Sequence, residues 1–129
     1  MSVENIGAIV QFGLDYERSR VEVAARNIAM ANVPVAPGSG APVQRVGVSR
    51  FAGALPQVAL EIAPDSGFRE VHDPSHPLAN AQGMVNYPKI DPALEMATMV
   101  AATRAYEADV RAYNTLRAMT LKAFEIGKA

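Results

Sequence analysis

Small and apolar residues recur at helical spacing along the first part of the chain. Gly7, Leu14, Val21 and Ile28 repeat every seven residues, and Val3, Val10, Glu17, Ala24 and Ala31 repeat every seven on the adjacent row. Two neighbouring rows of this kind make an a/d stripe, which predicts one helix over 3–31. Glu17 is the polar misfit in the stripe. Gly7 and Gly13 each weaken the first half by about 1 kcal/mol relative to Ala. Glu22 and Arg26 are spaced for an i, i+4 ion pair on the outer face. At ~1.5 Å per residue the helix is roughly 43 Å long, too long to be the core of a compact domain of this size.

The helical pattern stops near Asn32. Residues 33–42, VPVAPGSGAP, form a Pro/Gly/Ser connector without periodicity. Short strands are predicted at Val43–Phe51 and at Leu55–Ile62, where Val58, Leu60 and Ile62 alternate with Ala59 and Glu61. Pro64-Asp65-Ser66-Gly67 is a turn signal. Phe68–His72 and Met84–Tyr87 read as two further strands, separated by the polar, proline-containing loop DPSHPLANAQG. The middle of the chain is therefore a small β-rich insertion with a limited core.

Asp91-Pro92 opens a second long helix, because Asp caps well and Pro suits the first helical position. Glu95 sits in the first turn, where the helix dipole favours an anion. The helix is predicted to run unbroken to Ile126, with Gly127 as C-cap. Nine alanines lie between Pro92 and Ile126, so a neighbouring backbone can approach closely on several sides. Met96, Met99, Thr103, Tyr106, Val110 and Tyr113 make one stripe. Leu94, Ala97, Ala101, Ala105, Ala108 and Ala112 make another. Glu107 and Arg111 are again spaced for an ion pair. The expected fold is mainly α: two long terminal helices in a coiled-coil-like pair, with the β-rich insertion between them, α+β overall. Its parts are 1–32, 33–90 and 91–129. A pair of helices buries one stripe on each, so the second helix keeps surplus apolar surface, which marks an interaction site.

Composition narrows the function. Twelve Lys+Arg face thirteen Asp+Glu, the net charge is −1 and the pI is near 6.1. This is not the basic field of a nucleic-acid binder or of a polybasic membrane anchor. There is no Cys, which removes disulfides and thiolate chemistry. Aromatics are 6% and Trp is absent, which suits closely packed helices better than an aromatic-lined pocket. No run approaches the ~20 apolar residues of a membrane span. The N-terminus has no positive leader ahead of its apolar part, so a cleaved secretory signal is not expected.

The chemistry-bearing clusters are weak. His72, Asp73 and His76 have metal-ligand side chains, but Pro74 and Pro77 deny them helical i, i+4 geometry, and a polar turn is the better reading. Ser75 beside His76 and Asp73 has triad residue types only as sequence neighbours. Gly38-Ser39-Gly40 lacks the Lys-Ser/Thr and helix start of a phosphate loop. Tyr106, Tyr113, Met96 and Met99 read as packing residues. The mixed charges on the first helix speak against its lying on a membrane. No catalytic, cofactor or metal site is expected.

Four motifs carry a family resemblance. Asn27-Ile28-Ala29-Met30-Ala31-Asn32 resembles the N-I-A-N-A-N signature of flagellar rod and hook proteins. His72-Asp73-Pro74-Ser75-His76-Pro77 with Gly83-Met84-Val85 is similar to the DPSHP…GYV segment of proximal rod proteins. Arg104-Ala105-Tyr106-Glu107-Ala108-Asp109 resembles R-A-Y-E-A-N. Asn114-Thr115 and Met119–Lys128 resemble the family's closing segment. Met30, Val33 and Asp109 depart from the pattern. The resemblance implies a structural subunit of the bacterial flagellar basal-body rod, lying in the periplasmic rod. It implies terminal helices on the axis, an outward-facing insertion, helical polymerisation, and export by the flagellar type III apparatus without signal cleavage. Partners would then be other rod and basal-body proteins and copies of the chain itself. The competing expectation is a soluble helical adaptor or a divergent rod-like accessory protein that binds one partner through the same helices. On either reading the helix-packing and assembly residues are Leu14, Val21, Asn27, Ile28, Asn32, Met99, Tyr106, Glu107, Val110, Tyr113, Asn114 and Leu121.

Overall fold

The computed structural model describes residues 3–40, 42–50, 55–64 and 66–127. Phe51, Asp65, Lys128 and the side chain of Val3, which entered the sequence expectations, lie outside what is described. The elements in chain order are α1 (Val3–Met30), β1 (Gln44–Ser49), β2 (Gln57–Ile62), β3 (Phe68–His72), β4 (Met84–Pro88) and α2 (Pro92–Ile126). Both long helices form over nearly the spans that the apolar spacing predicts. Asp91 caps α2, its Oδ1 accepting from the backbone N–H of Ala93 at 3.0 Å and of Leu94 at 3.3 Å. Gly127 closes the helix in right-handed geometry (φ −71°), with its N–H donating to the Ala123 carbonyl at 3.0 Å. Its conformational freedom is therefore not what ends the helix.

The helices lie side by side and run antiparallel. Gly13 of α1 faces Asp109 of α2, where an added Cβ would stand 3.2 Å from the carboxylate. Nearer the base of the pair, Val23 and Ala24 border the same small cavity as Glu95 and Thr98. The seam is made by small residues: Ala24 and Ala102 are buried and Gly13 is close-packed. Glu17, the misfit in the α1 stripe, is held by Arg20 at 2.8 Å. The expected Glu22–Arg26 pair does not form. Glu22 instead accepts from Arg18 at 2.9 Å, and Arg26 is drawn to Gln44, with Nη1 to Oε1 2.7 Å. The Glu107–Arg111 pair is present at 3.6 Å.

The insertion is two separate antiparallel hairpins. β1 pairs with β2 in the register Val46↔Leu60, and β3 pairs with β4 in the register Val71↔Val85. The β1–β2 hairpin rests on α1. Its Leu60 and Ile62 are exposed, so the alternation seen in the sequence presents an apolar face left uncovered among the described residues. The connector after α1 touches β4 through an isolated bridge, the Val35 N–H donating to the Asn86 carbonyl at 2.8 Å. Val85 is fully buried beneath it.

Candidate assembly surface

The residues of the first motif are fixed by hydrogen bonds. Asn27 lies in the last turns of α1 and is 1% exposed. Its Nδ2 donates to the Gln44 carbonyl at 3.0 Å, and its Oδ1 accepts from the Gln44 N–H at 3.2 Å. A side-chain amide is the group that can satisfy both backbone functions of one residue at once. The next residue, Arg45, turns the other way: its Nη1 donates to Glu95 Oε1 at 2.7 Å and to the Gln44 carbonyl at 3.1 Å. Glu95 is 3% exposed. The Gln44-Arg45 dipeptide therefore ties α1, β1 and α2 together at one end of the helix pair. The dipole argument placed Glu95 correctly but missed its partner. The available signal was its place seven residues before Ala102, on the row that proves to be the seam.

Of that row only Ala105 belongs to a stripe predicted on α2. The inward positions are Glu95, Thr98, Ala102, Ala105, Asp109, Leu116 and Thr120, all buried or half-buried. The Met96–Tyr113 stripe and the Leu94–Ala112 stripe flank it, one on each side. Met96, Thr103, Tyr106 and Tyr113 are exposed, and Met99 and Val110 half-buried; Leu94, Ala97, Ala101, Ala108 and Ala112 are exposed. The physical reason is backbone approach. Ala102 and Gly13 let the helix axes come close, so the bulkier side chains are pushed to the sides. On α1, Leu14, Val21 and Ile28 are half-buried at the seam's edge, while Asn32 is exposed. On α2, Glu107, Asn114 and Leu121 are exposed.

Two features stand out on this surface. One is a trough along one side of the helix pair. It consists of a space of ≈ 350 Å³ lined by Gly7, Val10, Leu14, Asp15, Tyr106 and Tyr113, continued by one of ≈ 340 Å³ lined by Val21, Glu22 and Thr103. Arg18 and Tyr106 border both. The other is the end of α2. Its 35 residues outrun the 28 of α1, and the Gly13–Asp109 register puts Val3 opposite Met119. Beyond that point Leu121, Phe124 and Ile126 are 56%, 66% and 77% exposed.

The loop between β3 and β4 is occupied with itself. Asp73 Oδ1 accepts from Ser75 Oγ at 2.7 Å and from the Ser75 N–H at 3.2 Å. These bonds, the hydroxyl one first, hold the Asp73 carboxyl below its ordinary pKa. His76 Nδ1 accepts from the Leu78 N–H at 3.0 Å, and Asn80 Oδ1 accepts from Gln82 and Met84 N–H groups, both at 2.9 Å. Gly83 takes φ +73° with Pro74 packed against it. The geometry is a polar turn, and among the described residues no three acidic, His or Cys side chains gather around a point where a metal ion could sit. No described helix is long and apolar enough to cross a membrane.

Comparison with known proteins gives this arrangement a context. Residues 81–126 match the family described as flagellar basal body rod FlgEFG protein, C-terminal. The chain is 37% identical over 113 residues to the flagellar basal-body rod protein FlgC of Bacillus subtilis (strain 168), spanning 88% of this chain and 70% of the relative. It is 33% identical over 135 residues to FlgC of Escherichia coli O6:H1, spanning 99% of this chain and all of the relative (100%). FlgC of Aquifex aeolicus is 30% identical over 135 residues, with 99% of both chains covered.

Proposed function

The chain belongs to the flagellar basal-body rod protein family that includes FlgC, and from that membership we propose that it is a structural subunit of the rod, working by contact with its neighbours and without turnover. The observation that carries this reading is the uncovered apolar surface. The α2 flanks, the end of α2 and the Leu60–Ile62 face of β2 are exposed among the described residues. Extended apolar surface on an isolated chain fits a subunit that is completed by its neighbours.

In this reading the α1–α2 pair is coiled-coil-like and lies along the rod axis, and the two β hairpins face outward. Subunits polymerise helically, transmit torque and line the export channel. The chain reaches the periplasmic rod through the type III export apparatus without losing a signal peptide. Its partners are other rod and basal-body proteins and further copies of itself. Leu14, Val21, Ile28, Met99, Tyr106, Val110, Tyr113 and Leu121 supply packing. Asn27 holds the hairpin in place, and Asn32, Glu107 and Asn114 give the polar contacts of the rim.

Val110→Asp and Ile28→Asp test this directly. Each places a charge where a half-buried apolar side chain now sits, and burying it unpaired costs several kcal/mol, about 3–5 at a fully covered site. We expect loss of motility at normal protein levels; full motility would contradict the reading. Mass measured over a concentration series separates a rod subunit, which grows open-endedly or only with its partners, from a helical adaptor, which stops at a closed dimer.

A further inference from the structure

We infer that the free end of α2 seats in the helix-pair trough of a second copy of this chain, so that successive copies engage tail to side. The inference deepens the rod-subunit reading and rests on it. Arg117, Leu121 and Phe124 are spaced i, i+4, i+7 and share one face of α2. Leu121 and Phe124 lie past the described part of α1 and are largely exposed. The trough offers the matching surface. Val10, Leu14, Val21 and Tyr106 line it, and it runs from Gly7 to Val21, about 21 Å along α1. The segment from Arg117 to Ile126 is about 14 Å long, so it fits lengthwise.

Charge and length together set the placement. On the trough rim Arg18 is engaged by Glu22 at 2.9 Å, while Asp15 makes no ion pair among the described residues. Arg117 sits at the near end of the Leu121–Phe124 face and likewise makes no ion pair among the described residues. With Arg117 level with Asp15 and the segment running toward Gly7, which keeps its length inside the trough, Leu121 comes level with Val10 and Phe124 with Tyr113. Lys122 lies off this face, and Glu125, four residues past Leu121, borders it. A contact between two different patches of one chain is heterologous and does not close on itself, so it propagates.

The absence of cysteine makes the contact testable by disulfide trapping. Within one copy, positions 113 and 124 are about 17 Å apart on the same helix, well beyond the ~7 Å limit for a disulfide. Any Tyr113→Cys to Phe124→Cys bond therefore joins two copies. Val10→Cys and Leu121→Cys, on the same two surfaces, serve where a first-choice variant fails to enter the rod. Purified basal bodies carrying the double variant are oxidised and resolved by mass. We expect a ladder of dimers and higher multiples. Asp15→Lys should lower its yield at least tenfold, and Asp15→Lys with Arg117→Asp should restore it. Rods that contain the variant but yield no ladder, or an adduct to a protein of different mass, overturn the inference and leave the rod reading intact. Absence of even the unmodified chain from basal bodies overturns both.

Discussion

Asn27 shows how one side chain can fix the geometry of a whole insertion. Removing its amide leaves the Gln44 N–H without a partner and its carbonyl with Arg45 alone, so Asn27→Ala should cost about 1–2 kcal/mol, read as a shift in the urea midpoint of the free chain. Asn27→Asp keeps the shape and the acceptor but loses the donor to the Gln44 carbonyl, so it should also destabilise. Asp73 gives a prediction with a defined sign. Its carboxyl titrates below the ordinary value of 3.8 because Ser75 donates to the charged form. The order it confers on the loop is therefore complete above that ordinary value and is lost as pH falls through the lowered one. The Ser75 amide resonance should report the change, and Asp73→Asn should flatten it. At Gly83 a φ of +73° and the nearby Pro74 make Gly83→Ala unfavourable by about 1–2 kcal/mol, measured as a lower midpoint. These roles were legible to different degrees. Asn27 stood out by resemblance alone, since its partner is seventeen residues away in sequence. The self-contained turn at Asp73–His76 followed from Pro74 and Pro77.

Elements were the most legible scale. Helical spacing, Asp91-Pro92 and the break at Val33-Pro34 placed both helices to within a residue of their observed ends. Alternation and the flanking turn signals located four strands, with the described ends of β1 and β2 one or two residues inside the expected ones. What periodicity could not supply was rotation. Spacing suggested one row of larger side chains and one of alanines on α2, whereas the seam runs between them, where Gly13, Ala24 and Ala102 meet. The Arg45–Glu95 bond was equally hidden, because it links residues fifty positions apart. Arg45→Met leaves a carboxylate at 3% exposure without its cation. Arg45 itself is about half exposed, so the loss should be about 1–2 kcal/mol, below that of a fully buried pair. Adding Glu95→Gln should recover part of it in a double-mutant cycle.

At the scale of the whole molecule the chain is a helix hairpin with two β hairpins and little core. Among the described residues the buried aliphatic side chains are Val23, Ala24, Ala31, Val43, Ala63, Val85 and Ala102, and none is large. A chain this lightly filled, with Leu60, Ile62, Leu121, Phe124 and Ile126 bare, is stabilised by binding neighbours through mass action. The sequence pointed to this surplus through the number of apolar rows on α2, though not to where the surplus lies. The central claim, that the chain is built into the rod, is tested by a compact label inserted in the 73–83 loop and located by electron microscopy of basal bodies from motile cells. The account predicts label density on the outer wall of the rod at a fixed axial level. Basal bodies with a complete rod and no label on it would contradict the account.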